Sequence, residues 1–467
     1  MTIKISAPGK LLLLGDHAVV YDYPCIVTAV DKRLYVEAEI TDKKEDEIIS
    51  PQVKESRFVL ESIAHFKEKF KINKSVRITT KGDFSHSVGL GSSSAVTVAT
   101  YKALNELFRT DLTNKQIFDL SYQVNLEVQG VGSGFDIAAA TYGGTLYFLT
   151  GGKKIESLPT ENLPLVVGYS GIKADTPFYV RKVAEAFRTK KDAMHRLFSQ
   201  IATLVESAKK EISQKNYSKL GKLMTQNHRL LQELGVSTPK LDEMVDVTIK
   251  AGAYGAKLSG AGGGDCMIAL VSPEKRKAVE QAIVNAGGEV IVVDNHAEGV
   301  RIETTDDQNE IFVVVDHDNN IINYNTRYEC HHDKNLIHRA TGVVLFNQKG
   351  EVLLQKRSRF KDKHPNLYTI SASGHVGKGE TALECAKREL FEEIGVRTEL
   401  KFLKQFIAER STETEMDFLY TGKYEGPFKI NETEVEEVRF VPKNEIRNYL
   451  PKLAPLAVES FKRLNLI

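Results

Sequence analysis

The chain has no tryptophan and only four cysteines and thirteen prolines in 467 residues, and each scarcity removes a class of explanation. Cys25, Cys266, Cys330 and Cys385 are scattered with no C-x-x-C pair among them, which argues against a zinc site and a disulfide framework. Reduced thiols in a cytoplasmic setting are the expectation. Charge of one sign is also missing: 63 Lys and Arg face 62 Asp and Glu, so a net charge of +1 gives no overall attraction to nucleic acid or a membrane surface. Any anion site must be local. No apolar run reaches the roughly 20 residues that span a bilayer, and Ile3-Lys4-Ile5-Ser6 follows Met1 too closely for a signal peptide. The composition that remains, 42% hydrophobic and 27% charged, is that of a globular chain with two or three domains.

Glycine, by contrast, is concentrated. Residues 88–96 read V-G-L-G-S-S-S-A-V and open into a helix of small residues, Thr97, Ala99, Ala103 and Leu104. Gly89 and Gly91 let the backbone turn and bring its N–H groups to an anion, and the helix that follows adds the positive end of its dipole. Ser92, Ser93 and Ser94 add hydroxyls for phosphate oxygens or magnesium. A structural cap is the competing explanation for such a stretch alone.

Other stretches bear on that choice. The strand from Ile3 breaks at Ala7-Pro8-Gly9-Lys10 and resumes as four leucines before Gly15-Asp16-His17; alone, this reads as a hairpin with a solvated lysine. Strands follow at residues 25–30 and 34–40, and helices at 54–70 and 115–128. Asp136 then stands between Gly134 and three alanines, poorly solvated if buried, with Lys10 as a candidate partner. A strand at 145–149 and a long helical region at about 192–251 lead to a second glycine-rich run, G-A-K-L-S-G-A-G-G-G-D-C at 255–266, and a strand at 267–271. So much glycine in one short span points to a main chain lying against a ligand or another loop.

The motifs A-P-G-K-L-L-L-L-G-D-H-A-V-V-Y, G-L-G-S-S-S-A-V and A-K-L-S-G-A-G-G-G-D-C, in that order, resemble those of the GHMP small-molecule kinases. Within that family the resemblance is strongest to mevalonate kinases, over residues 1–303. It implies a two-lobed α/β fold with ATP and Mg2+ in the cleft. Asp136 would be the catalytic base, and Lys10 would keep it ionised. Gly89, Leu90, Gly91, Ser92 and Ser93 would cradle the phosphates, with Ser94 and Glu127 reaching the metal. Asp16, His17, Thr176, Gly262 and Gly263 would bind the acceptor. The V-G-S-G-F-D-I-A-A-A and G-G-G-D-C forms lean towards phosphomevalonate kinases, whereas His17 and residues 234–238 lean towards mevalonate kinases, so the acceptor stays open between the two.

The polar run T-T-D-D-Q-N at 304–309 reads as a linker, and a second domain is expected at 310–467, starting with a strand at 311–315 and a strand-turn-strand at 341–355. Glu389, Glu392 and Glu393 have i, i+3, i+4 spacing, which puts three carboxylates on one helix face. A solvated acidic face is the ordinary fate of such a run; a hard divalent cation would relieve its repulsion. The full pattern Gly374, Glu380, Arg388, Glu389, Glu392, Glu393 and Gly395 resembles the Nudix box, and implies an α/β/α sandwich with Mg2+ or Mn2+. Similarity to the isopentenyl-diphosphate-isomerase-like group adds His331, His338, His375, Glu413 and Glu415 as metal and acid positions, with Ser373 where that group has a catalytic cysteine. A hydroxyl is a poor proton donor or acceptor for an alkene, which favours diphosphate hydrolysis and keeps isomerisation as the alternative. The overall expectation is an α/β (α+β), bifunctional enzyme of isoprenoid synthesis acting on small-molecule substrates, without nucleic acid or membrane partners and with a homodimer left open. A non-catalytic regulatory role for one domain, or a sugar or homoserine as acceptor, are the rival readings.

Overall fold

A computed structural model describes residues 2–52, 56–84, 88–160, 162–303, 310–361 and 363–467. The linker expected at 304–309, and the start of the helix expected from residue 54, lie outside these. Contacts divide the chain into two compact units, Thr2–Glu303 and Thr304–Ile467.

The first unit begins with β1 (Thr2–Leu14), β2 (Cys25–Thr41), β3 (Glu47–Ile49), α1 (Arg57–Phe70) and β4 (Ser75–Gly82). It continues through α2 (Ser92–Phe108), α3 (Asn114–Gln129), α4 (Phe135–Tyr142), β5 (Thr145–Leu149) and β6 (Lys154–Ser157). Next come β7 (Leu165–Tyr169), α5 (Thr176–Ala186), α6 (Lys191–Ser213), α7 (Tyr217–Glu233) and α8 (Pro239–Lys250), so the long helical region resolves into separate helices. The unit closes with β8 (Gly255–Ser259), β9 (Cys266–Leu270), α9 (Arg276–Asn285), β10 (Glu289–Ile291) and β11 (Arg301–Ile302). One sheet has the order β11-β1-β2-β4-β3 with β5 and β6 attached through β2, and a second has the order β10-β7-β9-β8.

Two expected breaks are absent. β1 runs unbroken through Pro8, and β2 joins the two strands expected at 25–30 and 34–40. The reason is a bulge: pairing passes from Pro8 with Arg33 to Gly9 with Val30, so the proline, which has no N–H to give, falls where the ladder is already interrupted. Nearly all of β1 is buried, as its leucine run requires. α2 packs on β1, β2, α1, α3 and α4, and its crowded faces explain its small residues.

The second unit contains β12 (Ile311–Val315), β13 (Ile321–Thr326), α10 (Arg327–His332), β14 (Ile337–Phe346), β15 (Val352–Arg357), β16 (Tyr368–Thr369) and β17 (Ala372–His375). Then follow α11 (Ala382–Ile394), β18 (Leu400–Glu409), β19 (Thr414–Lys423), β20 (Val435–Val441) and α12 (Pro455–Arg463). β14 is central, antiparallel to β12, β15 and β17 and parallel to β19. Its side chains alternate: Val343 and Leu345 join a core with Leu390 and Ile394 of α11, whereas Val344 joins one with Ala457 and Phe461 of α12. This is the sandwich of helices about a sheet that the sequence predicts.

Because each unit has its own core, residues 2–303 and 310–467 expressed apart should each give a soluble product with one cooperative thermal transition. Aggregated fragments, or transitions far below those of the whole chain, would show that a core has been cut.

Candidate active sites

In the first unit a cavity of about 730 Å³ is lined by Lys10, His17, Gly89, Gly91, Ser92, Ser93, Asp136, Thr176 and Asp265, among others. Its glycine-serine wall is built on β1. The backbone N–H of Lys10 donates to the Leu90 carbonyl at 2.9 Å. A Cβ on Gly9 would come within 2.9 Å of that same oxygen, so only glycine allows the approach. Gly89 and Gly91 take φ of 73° and 79°, and Gly91 caps α2 without any side-chain acceptor. The first N–H groups of α2 therefore remain available to an anion, as do the hydroxyls of Ser92 and Ser93 on the cavity wall. Leu90 contributes only backbone, since its side chain is in the core.

Lys10 does not pair with Asp136, as the sequence had suggested. Its Nζ donates to the Gly89 carbonyl at 3.0 Å and lies over the Phe135 ring, and its stem runs beside Gly91. Asp136 is half-buried in the first turn of α4, and it has no ion pair among the described residues. Tyr122 shapes that turn: its hydroxyl donates to the Gly132 carbonyl at 3.0 Å, and its ring fills the space a Cβ on Gly134 would need.

Glu127 also departs from expectation. It is exposed on α3, where its carboxylate accepts from Gln123. Two residues earlier, half a turn away, Asn125 lines the cavity and donates to the Ser94 hydroxyl at 3.2 Å. The amide, and not the acid, is on the cavity wall. Asp265 went unnoticed in the sequence; it faces Gly89, accepts from the Ala174 N–H at 3.0 Å, and burial raises its pKa.

At the acceptor end, His17 is buried with φ of 59°, and its Nε2 lies 2.9 Å from the Ala261 carbonyl, to which it donates. Burial lowers its pKa, which keeps the ring neutral. Thr176 begins α5 on the cavity wall. Asp16 is not on that wall. It is wholly buried and forms an ion pair with Lys257 at 2.8 Å. Gly262 and Gly263 are not on that wall either: added Cβ atoms would strike the Val236 carbonyl and the Tyr179 ring, so both glycines pack closely against the protein itself. Ser259, Gly260 and Ala261 line the cavity instead.

In the second unit a cavity of about 440 Å³ is lined by His331, Ser373, His375, Glu389, Glu392, Glu393, Glu413 and Glu415, with Lys361 and Lys363. The helical face of glutamates is not left to repel itself. Arg388 binds Glu380 at 2.9 Å, Glu389 at 2.7 Å and Glu392 at 3.1 Å. Glu393 is buried and accepts from Gln355 at 3.2 Å and from the Ser373 N–H at 3.3 Å. Burial raises Glu389 to about 7 and Glu393 well above the usual carboxylate range. Gly374 is required because Glu389 occupies the place of any Cβ there, and Gly395 ends α11 with φ of 71°.

Beside these lie His331, His338 and His375, and His338 with Glu413 and Glu415, two groups whose ligand atoms all fall within 4.8 Å of one another. The donor set fits a divalent cation. His338 Nδ1 faces the Leu336 carbonyl, while Nε2 is buried with no hydrogen-bond partner among the described residues and faces Glu415 at 3.5 Å. Burial lowers His338 to about 4 and His331 to about 2, so both rings are neutral near pH 7. A neutral imidazole lone pair opposite a carboxylate is an arrangement a cation would satisfy.

Comparison with known proteins follows the same division. Residues 57–144 match the GHMP kinases N terminal domain, 208–289 the GHMP kinases C terminal domain, and 336–464 the NUDIX domain. Mevalonate kinase of Thermococcus sibiricus is 37% identical over 332 residues, covering 65% of this chain and 99% of the relative. That of Saccharolobus solfataricus is 33% identical over 290 residues, covering 59% and 91%. The crystal structure of Methanococcus jannaschii mevalonate kinase superposes with a TM-score of 0.55 at 29% identity, over 65% of this chain and 99% of that one. No helix among the described residues is long and apolar enough to cross a membrane.

The shifted groups predict how a metal should bind. Below about pH 7 Glu389 carries a proton that a cation must displace, whereas the lowered His338 and His331 have none to release above about pH 5. Mn2+ affinity of the second unit should therefore strengthen as pH rises from 5 through 7. Calorimetry at pH 6 in two buffers of different ionisation heat should find proton release that shrinks in Glu389→Gln. Affinity that falls with rising pH would contradict the assignment.

Proposed function

This chain belongs to the GHMP kinases and carries a Nudix domain, and on that footing we propose that its first unit transfers the γ-phosphoryl group of ATP to the hydroxyl of mevalonate. The observation that carries the reading is Asp136, a carboxylate in the first turn of α4 that shares a cavity with the glycine-serine loop and is not consumed by an ion pair among the described residues. Asp136 takes the proton of the acceptor hydroxyl as the new O–P bond forms. Lys10, tethered to Gly89, holds its positive charge beside the phosphate loop, where charge builds on the group in flight. Bound with ATP, Mg2+ would neutralise phosphate oxygens, and Asn125, on the cavity wall and hydrogen-bonded to the buried Ser94 hydroxyl, would help to hold it. Lys10 and Lys173 share the cavity wall with Asp136, Asp175 and Asp265, a balance better suited to an acceptor with one carboxylate than to one already phosphorylated. His17 and Thr176 would orient that acceptor.

For the second unit we propose metal-dependent hydrolysis of a small-molecule diphosphate. The support is the arrangement about Arg388, which gathers Glu380, Glu389 and Glu392, together with Ser373, which offers no thiol for proton transfer to an alkene. A second reading, isomerisation of isopentenyl diphosphate, is favoured by one observation, the cluster of His331, His338, His375, Glu413 and Glu415 beside Ser373.

Asp136→Asn should lower turnover of the whole chain with ATP and mevalonate by about a hundred- to ten-thousand-fold while ATP still binds. Near-normal turnover would remove Asp136 from its role. Assays with phosphomevalonate, homoserine and galactose in parallel identify the acceptor. For the second unit, Glu393→Gln should abolish metal-dependent phosphate release from a diphosphate, and Ser373→Ala should leave most of it. Hydrogen exchange of isopentenyl diphosphate with deuterated water, without phosphate or pyrophosphate release from any diphosphate tried, would replace hydrolysis by isomerisation.

A further inference from the structure

Asp16 and Lys257 meet at 2.8 Å with both side chains shut off from solvent. Taking two charges out of water is unfavourable, and an apolar pair of similar volume would fill a core at least as well, so packing alone does not account for them. Their neighbours do. Asp16 Oδ1 accepts from the backbone N–H of Gly260 at 2.8 Å, and Lys257 Nζ donates to the carbonyls of Leu12, at 3.4 Å, and Leu258. The pair thereby ties the end of β1 to the turn that leaves β8. The next residue after Asp16 is His17, in the left-handed region, which donates to Ala261 in that same turn. Behind them α7 holds both partners: Asn227 accepts from the Gly15 N–H at 3.3 Å, and His228 accepts from the Leu258 N–H at 3.3 Å.

Asp16 and Lys257 do not line the cavity, whereas His17, Gly260 and Ala261 do. The phosphate loop is held separately, through Gly9, Lys10 and Leu90. We infer that Asp16 and Lys257 are positioning residues whose buried pair fixes Gly260 and Ala261 against His17, and so sets the wall that receives the phosphoryl acceptor without setting the nucleotide site. This rests on the reading of the cavity as a kinase site. Desolvation lowers the Lys257 pKa, and Asp16 opposes that shift by favouring the charged ammonium.

The test uses the full-length chain with ATP and mevalonate. Asp16→Asn with Lys257→Met removes both charges at nearly constant volume and leaves no unpaired ion behind. The double variant should keep its thermal transition within a few degrees, raise the acceptor KM about tenfold or more, and leave the ATP KM within twofold. Asp16→Glu keeps the pair but displaces the Gly260 turn by one methylene, and should raise the acceptor KM by a smaller factor. Unchanged acceptor KM in either folded variant, or an equal rise for ATP and acceptor, overturns the inference alone. Wild-type protein that phosphorylates no acceptor overturns the kinase reading and this inference with it.

Discussion

The contact between the Leu90 carbonyl and the backbone of β1 is the constraint on which the first unit's site depends. It is close because Gly9 has no side chain, and it is directional because the Lys10 N–H donates into it at 2.9 Å. With the loop pinned there, Gly89 and Gly91 must adopt left-handed conformations to carry the chain into α2. No side chain then caps the helix, and its N–H groups are left to a ligand. The same pinning decides the fate of the lysine side chain, which follows the loop and ends on Gly89. Asp136, in the first turn of α4, is thereby left without an ion pair among the described residues.

Much of this was legible in the sequence, because glycines and a lysine at fixed places limit what a backbone can do. The loop at 88–96, the helix it opens, Asp136 and the arrangement of two units all follow from local pattern. What was not legible depends on which face a residue meets after folding. Pro8 looked like a strand end, and only the pairing of β1 with β2 shows that a bulge absorbs it. Glu127 and Asn125 are two residues apart on one helix, so about half a turn decides which faces the cavity, and helical periodicity without a neighbouring helix cannot choose. Asp16 beside His17 looked like a pair of ligands, yet the partner that claims it, Lys257, lies 241 positions away in sequence.

The second unit shows the same limit in electrostatic form. Spacing alone put Glu389, Glu392 and Glu393 on one face and made repulsion the reason for a cation. In the folded unit Arg388 already neutralises part of that face, and burial keeps a proton on Glu393. The case for a metal moves to the histidines. His338 presents to a carboxylate a buried nitrogen without a hydrogen-bond partner among the described residues, which a cation would satisfy. Those residues come from α10, β14, β17 and the start of β19, with Glu413 just before that strand, so only the sheet brings them together.

The two units thus solve opposite electrostatic problems. The first offers a polyanion mainly backbone N–H groups and one lysine, Lys10. Its buried ion pair is kept away from the ligand, where the charges cancel and the geometry is what matters. Removing one member would leave an uncompensated buried charge, at about 3–5 kcal/mol, a large part of a domain's stability. The second must receive a cation, and stores it a place among carboxylates and imidazoles whose pKa values burial has driven apart in opposite directions. The raised acids Glu389 and Glu393 and the lowered rings of His331 and His338 are neutral forms, whereas Glu413, bound by Lys363, is held below the usual carboxylate range. A divalent cation held there would displace the proton of Glu389 and be bound by carboxylates and neutral imidazoles together.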